Sequence, residues 1–125
     1  MNKKNGFKGK LKIFIIVILS VLMIVFVVLC AIKIKRIQNE KNIIGTWMQG
    51  NLEEVLTFHD NGSLIVNQDM PEVGISSGNA YYEFVYMNTI RVIQGENSLE
   101  FEIKVSKNRL TIFFIEQEYL VLQKE

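Results

Sequence analysis

The chain has 125 residues, 49% of them hydrophobic, and a formal net charge of +1, which bounds it to one modest domain and little more. That near-balance hides a division: from Asn42 onward five basic residues stand against twelve acidic ones, a formal balance of −7. An acidic domain repels phosphate backbones, so nucleic acid is excluded as a partner. One histidine and one cysteine in the whole chain also exclude a His/Cys metal centre and a disulfide framework.

Residues 1–12 form a basic tail carrying Lys3, Lys4, Lys8, Lys10 and Lys12. Residues 13–32, IFIIVILSVLMIVFVVLCAI, follow without a charge, and only Ser20 and Cys30 bring any polarity. At ~1.5 Å of rise per residue such a helix matches a hydrocarbon core of roughly 30 Å. The many β-branched residues do not argue for a strand, because a lone strand in a bilayer leaves its amides unpaired. The run exceeds the roughly 7–15 apolar residues of a secretory signal, and no small-residue cleavage site follows it. Leu29 stands where a lipoprotein places a small residue before its lipidated cysteine, so Cys30 reads as an ordinary apolar residue and the segment as an uncleaved signal anchor.

Lys33, Lys35, Arg36 and Lys41 lie beyond the run, four basic residues against the five before it. The positive-inside rule therefore favours a cytoplasmic amino terminus and an extracytoplasmic domain, by a narrow margin. The partner implied first is the lipid bilayer, with the basic flanks at headgroup level and the acidic domain standing off the surface.

Residues 33–42, KIKRIQNEKN, are charged and lack Gly and Pro, which predicts a short helical stalk. Over 43–125 the pattern changes to alternation, the sign of half-buried strands. A first strand is expected at 44–48. In EVLTFHDNGSLIVNQ, Leu56 and Phe58 alternate with Thr57 and His59, and Asp60, Asn61 and Gly62 supply a hairpin turn. The longest connection, 68–80, carries the only proline, and long connections in compact domains often serve function. Strands at 80–86 and 89–94 come next. Leu99, Phe101, Ile103 and Val105 alternate with Glu100, Glu102 and Lys104, then Lys107 and Asn108 turn the chain into Leu110, Ile112 and Phe114. A last strand falls at 118–123. About eight short strands with sequential turns predict an all-β domain, a small antiparallel meander or barrel, preceded by one transmembrane helix.

Chemistry is thinly represented. His59 borders a turn and lacks metal-ligand partners, and Asp60-Asn61-Gly62 starts like a calcium loop that the following residues do not continue. Glu53 with Glu54, Glu100 with Glu102 and Glu116 with Glu118 read as solvated strand faces. No phosphate-binding glycine loop, nucleophile elbow or metalloprotease helix is present, so neither an enzyme nor a cofactor is expected. The aromatic residues are more informative. Tyr81, Tyr82, Phe84 and Tyr86 put rings on both faces of one strand, and Phe113 and Phe114 are adjacent on another. A barrel interior needs some of them as filling, and the excess can contact a ligand or partner. Tyr82, Phe84, Tyr86 and Phe114, with the 68–80 connection, are the candidate ligand-binding residues. Trp47, the only tryptophan, has three readings: an interfacial anchor, a ligand platform, or the wedge that closes a small β-structure.

Gly45-Thr46-Trp47 at the start of the first strand, Thr57-Phe58 followed by Asp60-Asn61-Gly62, and the later strands AYYEFVYMNTIRVI and NRLTIFFIEQEYLVLQ resemble the small lipocalin-like domains of bacterial lipoproteins and membrane-anchored envelope proteins. The resemblance covers about residues 43–123. It implies a lipocalin-like barrel in which Gly45, Trp47 and Gly62 are structural. It also implies that the tryptophan plugs one end beside a basic side chain, for which Lys124 is the candidate. By the same resemblance the domain binds a small apolar or envelope-derived ligand, or another envelope protein; the chain is much shorter than a typical lipocalin, which argues against a deep cavity. The alternative is a non-enzymatic structural or regulatory subunit of a membrane complex.

Overall fold

The structure, a computed structural model, describes residues 3–50, 53–115 and 117–125, with side chains from residue 6 onward. Helix α1 (Lys3–Ile43) runs for 41 residues. By contacts the chain divides into two units between Ile34 and Lys35. In the first, the helix is apolar on all sides, and its large side chains from Ile13 to Leu29 are exposed. Its most apolar window has a mean hydropathy of 3.6, long and apolar enough to cross a membrane. The Ser20 hydroxyl donates to the Ile16 carbonyl at 2.8 Å, which satisfies it without water.

The second unit is a closed barrel of eight antiparallel strands, each paired with its successor and β1 with β8. They are β1 (Gly45–Gln49), β2 (Glu53–Phe58), β3 (Ser63–Val66), β4 (Gly78–Tyr86), β5 (Thr89–Gln94), β6 (Asn97–Val105), β7 (Arg109–Phe114) and β8 (Gln117–Lys124). Alternation sets the inside: Leu64, Ala80, Ile90, Val92, Phe101, Ile103, Leu110, Ile112 and Leu122 are all buried. Outside, Arg91 on β5 bridges Glu83 on β4 at 2.7 Å and Glu100 on β6 at 2.9 Å, a cross-strand ladder of exposed charge.

Three register shifts break the alternation. The first lies opposite Trp47/Met48 and buries Val55 beside Leu56; a bulge lets consecutive residues face the core and bends the strand, as a small barrel requires. At the β2–β3 turn Gly62 takes φ 87° and Asn61 Oδ1 accepts from the Ser63 amide at 3.0 Å, the turn chemistry expected of Asp-Asn-Gly. His59 is exposed there.

Successive turns of a meander alternate between two ends. At the end where the helix joins, here the proximal end, Trp47 is fully buried and its Nε1–H donates to the Ile43 carbonyl at 2.7 Å. Lys124 Nζ lies 5.4 Å from the centre of the indole ring and donates to the Asn42 carbonyl at 3.2 Å. The last carbonyls of a helix lack intrahelical donors, so one indole and one ammonium cap α1, and the ammonium adds a cation–π contact. Trp47 is thus a core residue at the barrel's end, and Lys124 is the basic side chain beside it.

The residues expected to form a stalk at 33–42 are bonded into the β-unit from Arg36 onward. Arg36 Nη2 donates to the Phe84 carbonyl at 2.7 Å, and Asn39, only 2% exposed, donates through Nδ2 to the Met87 carbonyl at 2.7 Å. The β-unit therefore begins at Lys35, ahead of the expected boundary at 43. Gly45 sits at φ 132°, where an added Cβ would meet the Lys124 stem at 2.8 Å. Gly45→Ala is expected to lower unfolding free energy by about 1–3 kcal/mol; a chemical melt checks it.

Candidate functional site

The connection at 67–77 closes the distal end of the barrel. Its 3-10 turn (Pro71–Val73) and a Met70–Ile75 bridge turn Met70, Val73 and Ile75 inward, all buried. One polar tie closes it on itself, and others hold it to β5 and β8. Ser77 N–H donates to Asp69 Oδ1 at 2.7 Å, Gln94 exchanges two hydrogen bonds with the Ser76 backbone, and Tyr119 Oη donates to Glu72 Oε2 at 2.7 Å. Beneath this plug lies a cavity of about 20 Å³, lined among others by Leu56, Phe58, Val66, Phe101, Ile112 and Tyr119. That space is about one water-sized sphere, and its walls are apolar.

The four residues expected to hold a ligand do not converge. Tyr82 and Phe84 face inward on β4. Tyr82 meets Phe58 edge-on at 4.9 Å and donates its hydroxyl to the His59 carbonyl at 2.6 Å, while Phe84 is buried. Burial, with Asp60 and Glu40 nearby, raises the Tyr82 pKa. Tyr86, past the β4–β5 register shift, is exposed on the outside. Phe114 lies toward the distal end, 6.0 Å from Phe101 and 6.5 Å from Tyr119. None of the four lines the cavity. Met70, Val73, Ile75 and Tyr119 line the cavity without standing out in the sequence; for the first three, the i, i+3, i+5 apolar spacing inside an otherwise polar connection is the available signal.

Three ionisable groups in the ties of the plug have shifted pKa values. The Ser77 amide holds the Asp69 carboxyl below its ordinary value of 3.8, and the Tyr119 hydroxyl holds that of Glu72 below 4.5. Burial, then the Glu72 bond, pushes Tyr119 up to about 12. Depressed carboxylates stabilise above their ordinary values and stop doing so as pH falls through the depressed ones; the raised tyrosine contributes below 10 and is lost on the way to about 12. Amide exchange at Ile75 and Ser77, corrected for intrinsic rate, is expected to be flat between about pH 5 and 9 and to accelerate toward about pH 3. Protection unchanged at the acid end would remove the carboxylates from this role.

The outer surface carries a second feature. Tyr81 is 66% exposed on β4, paired with Ile93 on β5 and diagonal to the outward Ile65 on β3, so three apolar side chains run across three strands. At the distal end Ile115, 79% exposed, takes φ 51°, a strained conformation for a β-branched residue. Among the described residues no group of His, Cys, Asp and Glu is placed to hold a metal ion, and Glu116 lies outside them. Compared with family models, curated proteins and solved structures, the chain gives no match.

Proposed function

We propose that this chain is a single-pass membrane-anchored, non-enzymatic β-module, lipocalin-like in plan, that acts outside the cytoplasm by holding another membrane protein against the outer face of β4. One contrast carries the reading: the interior leaves about 20 Å³, while Tyr81 projects outward between apolar neighbours on β3 and β5. Exposed tyrosine in an apolar surround is the composition of interface cores, and an anchor limits the partners to those in or on the same membrane. The sorting of rings on β4 supports it, since Tyr82 and Phe84 fill the barrel and Tyr81 and Tyr86 are left for a partner.

A photoreactive residue at position 81 of the full chain, in native membranes, is expected to give one discrete adduct that Ile65→Glu abolishes. The same probe at Glu54 is expected to give none, and adducts of equal pattern at both positions would sink the reading. Orientation is tested separately, by labelling Ser77→Cys in a Cys30→Ser background with an impermeant maleimide. Reaction in intact cells supports an extracytoplasmic barrel, and reaction only after lysis places it inside.

A second reading, a small apolar ligand under the plug, is favoured by the wholly apolar cavity. It requires the 67–77 segment to lift, so Tyr119→Phe should strengthen binding of dodecanoate measured by calorimetry. No heat with either protein would exclude it. Trp47 lines no part of the cavity, so its fluorescence is not the reporter to use.

A further inference from the structure

Charge in the β-unit is sorted along the barrel axis. At the proximal end lie Lys35, Arg36, Lys41, Lys104, Lys107, Arg109 and Lys124, against Glu40, Asp60, Glu102 and Glu125. Toward the distal end lie Glu53, Glu54, Asp69, Glu72, Glu96 and Glu118, with no lysine or arginine among the described residues. Arg91, the remaining cation, is held at mid-barrel by Glu83 and Glu100. A domain that is acidic as a whole therefore presents a basic end.

Lys35, Lys104 and Arg109 come together around a groove of about 430 Å³ that also touches Phe113 and, at its acidic edge, Glu118. An adjoining groove shares Lys35, Lys104 and Phe113 and adds Asn88 and Glu102. Among the described residues none of Lys35, Lys104, Lys107 or Arg109 makes an ion pair, so their charge is available to an outside anion. Lys35 follows Ile32, the last residue of the apolar run, by 3 positions, about 4.5 Å of helix rise. With residues 13–32 read as the anchor, chain connectivity alone, roughly 10 Å at most over three residues, keeps Lys35 and the groove it lines within reach of the headgroups.

We propose that the Lys35–Lys104–Arg109 groove binds the phosphates of anionic lipids and seats the proximal end of the barrel on an anionic leaflet, with the plugged end turned to water. This rests on the reading of residues 13–32 as a membrane anchor. It replaces the expectation that an acidic domain stands off the bilayer, because the repelling carboxylates are concentrated at the other end and the leaflet's field fades within a Debye length, roughly 8–10 Å.

The test uses the full chain with Cys30→Ser in nanodiscs of phosphatidylcholine, alone or with one-third phosphatidylglycerol. A spin label at Asn108→Cys reports the proximal end and one at Glu96→Cys the distal end. The Asn108 label is expected to lose accessibility to a water-soluble nickel chelate in the anionic discs, and the Glu96 label to stay exposed in both. Each basic residue near the surface changes the docked-to-undocked ratio about fivefold, so Lys104→Gln with Arg109→Gln lowers it about 25-fold and restores exposure at Asn108. Equal accessibility in the two discs, with the chain co-eluting with them, overturns the docking site alone. A chain that elutes apart from the discs overturns the anchor reading and the docking with it. Inorganic phosphate added to neutral discs is expected to leave the Asn108 label exposed; protection by phosphate alone would assign the groove to a soluble anion and overturn the lipid assignment.

Discussion

Trp47→Ala is expected to cost about 3–5 kcal/mol of unfolding free energy, the range for emptying a large aromatic site in a core. The indole is fully buried, and it also occupies the Ile43 carbonyl and underlies Lys124, so its loss uncaps the helix as well as opening a void. Against a total of about 5–15 kcal/mol the variant would be marginal, with a melting point lower by on the order of 15–30 °C. Trp47→Phe separates the two contributions. It keeps much of the volume but leaves the Ile43 carbonyl without its donor, a loss of about 1–3 kcal/mol for a buried group. Circular dichroism melts of the β-unit check both, and a Trp47→Ala midpoint equal to the parent's would show that the indole closes nothing.

A fragment beginning at Lys35 is expected to melt on the order of 10–20 °C above one beginning at Ile43. The longer fragment keeps Arg36 on the Phe84 carbonyl, Asn39 on the Met87 carbonyl and the Asn42 carbonyl under Lys124. Each such bond is worth roughly 1 kcal/mol, and more where a buried group would otherwise be stranded. Equal midpoints would return residues 35–42 to the role of a spacer.

Strand positions were legible because a barrel imposes one rule along its whole wall, core on one face and water on the other. Leu99 to Val105 against Leu110 to Phe114 follows that rule, and the hairpin forms in the register it predicts. What stayed hidden depends on contacts between distant parts. The bulge that buries Val55 beside Leu56 is set by the partner strand, and no local pattern marks it. Asn39 reads as one more polar residue of a charged stretch until the β4–β5 turn is brought to it. The candidate ligand residues do not converge for a related reason: rings two to four positions apart on β4 lie at different heights and, across a bulge, on different faces. The plug was hidden in a connection whose proline and glycine announce a loop while its three apolar residues belong to the core.

The seam between β1 and β8 joins Trp47 to Lys124, and every other pairing in the barrel is between consecutive strands. Hairpins therefore can form one after another as the polypeptide is made, each from neighbours already present, whereas closure has to wait for β8. Until then the indole, Ile43 and the carbonyls at the end of the helix have no cover, and the open edges of the first and last strands invite pairing with other chains. Quality control that senses exposed apolar surface would thus report on the arrival of β8 through a single late contact, made right beside the end of the helix.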